Sequence, residues 1–243
     1  MKQTDAVNQL LETKVADLII RNHAMLLVLE HFNVSLPVQE KTVADLCTEF
    51  GINPDMFLAF IHLFEGMPYS VTTDYSHQDI ITLIAFLKKS HQYYLDEQCP
   101  SLANQIEKLQ NLNTHREIAM VRRFFDDYLA EVTEHLAYEN DVVFPYILRL
   151  AGIVHGSDDP GDRGAYSVNE YKNQHNDIEE KLADMRNLLI RYLPTERDQV
   201  ARRDLLFALR DFEKDLHVHS CIEDTILIPL VEKMEAQLKE RVK

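Results

Sequence analysis

EHLAYENDVVFP, residues 134–145, and HSCIEDTILIP, residues 219–229, share one frame: a histidine, a glutamate four residues on, and a proline six residues after that (His135, Glu139, Pro145; His219, Glu223, Pro229). On an α-helix, residues four apart lie on one face with Cβ atoms roughly 5–6 Å apart, so each stretch offers an imidazole and a carboxylate to a common point. His175 and Glu179 repeat the spacing without the proline. Pairs of this kind also occur on solvated helix faces, so the spacing alone leaves a surface pair and a ligand pair both open.

The positions of the histidines along the chain separate the two readings. Side chains on antiparallel neighbouring helices meet at one level when the turn between them falls near their sequence midpoint. For His91 and His135 the midpoint is (91+135)/2 = 113, within Asn111–His115; for His135 and His175 it is (135+175)/2 = 155, in the GSDDPG region; for His175 and His219 it is (175+219)/2 = 197, beside Pro194–Asp198. All three fall on turn-like sequence, so the four histidines read as one layer across four helices.

The rest of the chain agrees with a helical bundle. Apolar residues make up 46% of the 243 residues, enough for a packed interior, while 6 Gly and 8 Pro are fewer than a turn-rich β architecture uses. The fold class expected is all-α: an up-down-up-down four-helix bundle with a small helical amino-terminal domain. The boundary falls in the polar break from Gly66 and Pro68 through Ser76, giving an amino-terminal domain over residues 1–70 and a bundle over 78–243. In the first part, helices are expected over Thr4–Asn33, Thr42–Phe50 and Pro54–Phe64, with Gly51 at a C-cap. In the second, one helix starts near Gln78 and kinks at Pro100, and another runs over Glu117–Leu150. A loop covers Gly152–Ser167, a third helix covers Val168–Tyr192, and a fourth opens at Pro194 and Thr195 and continues to Lys239.

Charge and cysteine usage exclude several function classes. With 25 basic and 40 acidic residues the formal net charge is -15, a field that repels nucleic-acid phosphates and anionic membrane surfaces. Thr42–Phe64 has the outline of a helix-turn-helix, but Lys41 at its edge is its basic content, so DNA contact is not expected. The start, MKQTDAVNQLLETK, lacks the apolar stretch of a signal peptide, and no run approaches the roughly 18 residues of a membrane span, so a cytoplasmic protein is expected. Cys47, Cys99 and Cys221 form no zinc or redox motif and read as small buried hydrophobes.

Four imidazoles and two carboxylates make a mixed nitrogen and oxygen donor set. That suits iron better than a sulfur-rich zinc site or an all-oxygen magnesium or calcium site, and six ligands are too many for one zinc. Two metals bridged by Glu139 and Glu223 would each take two histidines and keep a position open for a small ligand. Tyr93, Tyr94 and Tyr138, close to ligands in sequence, are candidates to hydrogen-bond to them or to pack in the core. His23, His31, His62, His77, His115 and His155 show no ligand spacing and read as surface or core residues.

Four runs, Ser90-His91-Gln-Tyr-Tyr, residues 134–145, Gln174-His-Asn-Asp177 and Asp215–Asp224, together resemble the hemerythrin-like (HHE) cation-binding domain. Among its members the chain is most similar to the di-iron proteins that repair iron centres, which pair this bundle with a small helical amino-terminal domain. Carried over by position, the resemblance implies metal ligands His91, His135, Glu139, His175, His219 and Glu223, with His217 the weaker alternative to His219. It implies two iron ions in a non-haem di-iron centre and a role in repairing iron-sulfur clusters damaged by nitrosative or oxidative stress, by donating iron or by reacting with nitric oxide or peroxide. The alternative it implies is a hemerythrin-like carrier or sensor of oxygen or nitric oxide, and a structural adaptor with incidental histidines is the third reading. The partners implied are such small ligands and iron-sulfur client proteins, with no nucleic acid and no membrane. The chain departs from the pattern where family members usually carry a Cys-Cys pair: Leu36-Pro37-Val38 stands there instead. The amino-terminal domain therefore reads as a packing or homodimerisation module rather than a thiol-dependent one.

Overall fold

The structure, a computed structural model, describes residues 8–67, 74–156, 167–174, 178–195 and 197–241. Its elements, in chain order, are α1 (Val15–Arg21), α2 (Met25–His31), α3 (Val43–Phe50), α4 (Pro54–Phe64) and α5 (His77–Tyr93). A π-helical turn (Tyr94–Gln98) leads into α6 (Cys99–Asn111). Then come α7 (Arg116–Tyr138), a second π turn (Glu139–Val143), α8 (Phe144–His155), α9 (Val168–Gln174) and α10 (Ile178–Arg191). The last are α11 (Gln199–Ile222), a third π turn (Glu223–Leu227) and α12 (Ile228–Arg241). A short helical turn precedes α1 over residues 8–11, and no strand occurs among the described residues. The all-α, hemerythrin-like helical bundle expected from the sequence is what the chain forms. None of the described helices is long and apolar enough to cross a membrane.

Contacts divide the chain into two compact units, one of residues 1–89, 146–168 and 218–243, the other of residues 90–145 and 169–217. In the second, four helical segments each present an apolar stripe at helical spacing: Leu102, Ile106 and Leu109 on α6; Ile118, Val121, Phe125, Tyr128, Val132 and Leu136 on α7; Leu182, Met185 and Leu189 on α10; Leu205, Leu209, Phe212 and Leu216 on α11. Steps of three and four residues keep each stripe on one face, and each fully buried large side chain contributes roughly 1.5–3 kcal/mol. The α10–α11 connection is closed by a buried Arg202. Its guanidinium donates to the carbonyls of Leu189 (2.8 Å) and Pro194 (2.8 Å) and to Asp198 Oδ2 (2.6 Å). Asn113, from the α6–α7 connection, donates to the same Asp198 oxygen at 3.1 Å. These contacts satisfy carbonyls that the end of α10 leaves open. They also explain why the fourth helix begins at Gln199 rather than at Pro194.

The first unit is held by an aromatic cluster in which Phe32, Phe60 and Phe86 lie with ring centroids 4.6–5.5 Å apart. Several sequence signals stand as read. Thr42 and Asp45 form a reciprocal capping box at α3, and Asn53 caps α4 with Pro54 in its first turn. Gly51 ends α3 with φ 62°, a conformation that favours glycine. Three further readings are corrected. The helix expected over Thr4–Asn33 is broken at Asn22, whose side chain accepts from the Ala24 amide and donates to the Phe64 carbonyl, substituting for helical bonds. The loop expected from Gly152 begins later, because Ala151 and Ile153 are buried and hold α8 helical to His155 before Gly156 stops it at φ 79°. The kink expected at Pro100 is instead a π turn.

That π turn is one of three with the same construction. In each, the residue after the turn donates its amide to the carbonyl five back: Cys99 to Tyr94, Phe144 to Glu139, Ile228 to Glu223. A proline follows immediately, Pro100, Pro145 and Pro229. A helix-interior proline has no N–H and its ring crowds the carbonyl four residues earlier. Widening the preceding turn re-registers the ladder around that defect. Single π turns inside α-helices are frequent at functional sites, and here two of the three begin on a buried glutamate.

Candidate metal centre

Glu139 opens the wide turn after α7 and is fully buried. Its Oε1 lies 3.2 Å from Nε2 of His135, one turn back on α7, and its Oε2 lies 3.4 Å from Nε2 of His91 on α5. The phenol of Tyr171 on α9 donates to Oε1 at 3.1 Å. His91 donates from Nδ1 to Asn140 Oδ1 at 3.2 Å, so its Nε2 carries the lone pair that faces Glu139. Phe144 stacks on the His91 ring at 5.5 Å and gives it an apolar wall.

The second clip repeats the arrangement. His219 Nε2 lies 3.5 Å from Oε1 of Glu223, one turn on, and both side chains are buried. His217, two residues before, is exposed. Of the six ligands expected from the sequence, the structure sets His91 and His135 against Glu139 and His219 against Glu223. His175 lies outside the described residues.

The donor chemistry fits a metal. An imidazole lone pair and an ionised carboxylate oxygen are both acceptors, so a separation of 3.2–3.5 Å is stable only with a proton or a cation between them. Two such atoms bound to one ion at roughly 2.1 Å each stand roughly 3.0–3.4 Å apart. Burying carboxylates is also costly, several kcal/mol per ion, unless positive charge accompanies them. A buried glutamate faced by imidazole nitrogens, found in each unit, is the arrangement that a divalent cation offsets.

The sequence reading missed two members of this surround. Asn140 follows Glu139 directly. Tyr171 stands four residues before His175, one helical turn, and that spacing was its available signal. Of the tyrosines singled out instead, Tyr94 packs edge-on against Phe212 in the apolar core, and the Tyr93 hydroxyl accepts from Gln98. Two of the thiols are sealed in the core, where burial pushes Cys47 up to about 12 and Cys99 up to about 11.

The model of the hemerythrin HHE cation binding domain matches residues 77–231, more than half of the chain. The chain belongs to the hemerythrin HHE family. Similar proteins include the iron-sulfur cluster repair protein YtfE of Yersinia pseudotuberculosis serotype IB (strain PB1/+), 21% identical over 192 residues, covering 78% of this chain and 82% of the relative. The protein of the same name from Yersinia pestis (strain Pestoides F) matches with the same identity and coverage. The HHE match spans His91, His135, Glu139, Tyr171, His219 and Glu223 alike, so cation binding belongs to the part of the chain that carries these side chains.

Proposed function

We propose that the chain is a non-haem di-iron protein that takes part in repairing iron-sulfur clusters damaged by nitrosative or oxidative stress. The observation that carries this reading is a buried histidine–glutamate contact at each of the two repeated frames, His91 with Glu139 and His219 with Glu223, inside the HHE match. The repair role is supported by the relatives, iron-sulfur cluster repair proteins at 21% identity. His91, His135, His175 and His219 would hold two irons with Glu139 and Glu223 between them. Bound iron supplies redox chemistry toward nitric oxide or peroxide, and a store of iron for a client protein. The chain's own residues do the rest. Asn140 holds the tautomer of His91, Phe144 keeps water from one face of that ring, and His135, 14% exposed against 1% for His91, marks the side from which a small ligand enters.

The test joins anaerobic iron quantification to reactivation of an iron-sulfur hydratase inactivated by nitric oxide, with His135→Ala as control. Close to two irons per chain and reactivation that the variant lacks are the expected results. Stoichiometry well below two would overturn the di-iron reading. The apolar wall at His91 also suits an alternative, a reversible carrier or sensor of oxygen or nitric oxide. A stable, reversible adduct band on exposing the reduced protein to air would favour that reading over repair.

A further inference from the structure

Tyr171 is 2% exposed and lies on α9, and its hydroxyl reaches Glu139, itself fully buried, from 32 residues away in sequence. An ionised carboxylate only accepts, so the phenol is the donor and Oε1 the acceptor. The two oxygens of Glu139 are thereby made unequal: Oε1 is shared between Tyr171 and the His135 side, while Oε2 faces His91. A carboxylate can bind metals through one oxygen or two. A fixed donor on Oε1 occupies one lone pair, stops rotation about the last side-chain bond, and leaves a defined set of lone pairs for a cation. Groups that hold a ligand in this way typically change metal affinity by about 10–100-fold when removed.

We infer that Tyr171 is a positioning residue of the metal centre, acting through Glu139 to fix how that carboxylate binds. This rests on the metal reading above. A purely structural role makes a different demand: a buried tyrosine hydroxyl needs some acceptor, and Glu139 could serve as one with no consequence for metal.

A double-mutant cycle on the full-length, metal-free chain distinguishes the two, with Co(II) as the probe, affinity read by chelator competition and geometry by the visible d–d spectrum. Tyr171→Phe is expected to weaken Co(II) by about 10–100-fold and to change the d–d band intensities, while in a Glu139→Gln background the same change has an effect of less than about twofold. Equal losses in both backgrounds, or affinity and spectrum unchanged by Tyr171→Phe, would overturn the inference. So would a phenolate-to-iron charge-transfer band in the ferric protein that Tyr171→Phe abolishes, since Tyr171 would then be a ligand itself. Should the phenylalanine variant not fold, Tyr171→Met carries the same expectations and is overturned by the same results. Wild-type protein that takes up no Co(II) would sink the metal reading together with this inference; wild-type uptake indifferent to Tyr171 would sink this inference alone.

Discussion

The two histidine-glutamate clips are nearly identical in sequence frame and differ in how far their histidines are exposed. Glu139 is approached by His91 from α5, by His135 from its own helix and by Tyr171 from α9. Glu223 is approached by His219 from its own helix, and the His219 side chain is 6% exposed where that of His135 is 14%. Both glutamates begin a π turn, and both turns end two residues before a proline. The repeated frame therefore specifies where a carboxylate is presented, and tertiary neighbours specify what it can do. The His175 and Glu179 pair, without a downstream proline, lacks that first specification.

The largest effect should come from removing the carboxylates. Glu139→Ala is expected to strip most of the bound iron, Glu223→Ala to lose at least as much as any histidine variant, and Glu179→Ala to leave iron content near that of the wild type. Metal analysis checks this ranking, and equal losses at Glu139 and Glu179 would show the wrong carboxylates were chosen.

The next effect depends on metal. Without a cation, the buried Glu139 carboxylate keeps its desolvation cost, so Glu139→Gln should weaken the metal-free chain in urea unfolding far less than it weakens the iron-loaded one. A variant that destabilises both forms alike would mean Glu139 is a structural hydrogen-bond partner and no more.

Smaller effects probe the frame itself. Pro145→Ala restores an amide donor and allows a regular ladder, which turns the following helix by about 100° per residue gained. Iron affinity should drop about tenfold, roughly 1.4 kcal/mol, with helix content unchanged by circular dichroism. Unchanged affinity would separate the π turn from the site.

The smallest concerns His31, a buried neighbour of the second clip. Burial, then the charges of His219 and Lys89, pushes it down to about 3. Its folded value lies below the unfolded one near 6.5, so the unfolded chain binds the extra proton. Stability is then complete above pH 6.5 and falls by up to about 1.4 kcal/mol per pH unit as pH drops toward 3. His31→Leu should flatten that slope between pH 6.5 and 4.5, measured as unfolding midpoints at each pH; an identical slope in the variant would assign it to other groups.

How much of this the sequence disclosed depends on the range of the interaction. Caps at Thr42 and Asn53 and the stop at Gly51 are local and stand in the sequence as plainly as in the structure. So does the one-turn spacing of each clip. The first and third midpoints, 113 and 197, fall in non-helical connections because loop position and helix height are linked by simple counting. Other features depend on partners far along the chain. Asn22 breaks a helix through the Phe64 carbonyl, and Tyr171 meets Glu139 across 32 residues. The prolines were legible as interruptions, but whether the chain kinks or widens is decided by packing on both sides of the turn.

The sealed thiols bear on how such a protein lasts in its own working conditions. At pKa values of about 12 and about 11, neither Cys47 nor Cys99 offers more than about one thiolate in ten thousand at neutral pH. Nitrosating and alkylating reagents that need a thiolate will pass both by. Cys221, half-buried and two residues from His219, is the most exposed of the three thiols.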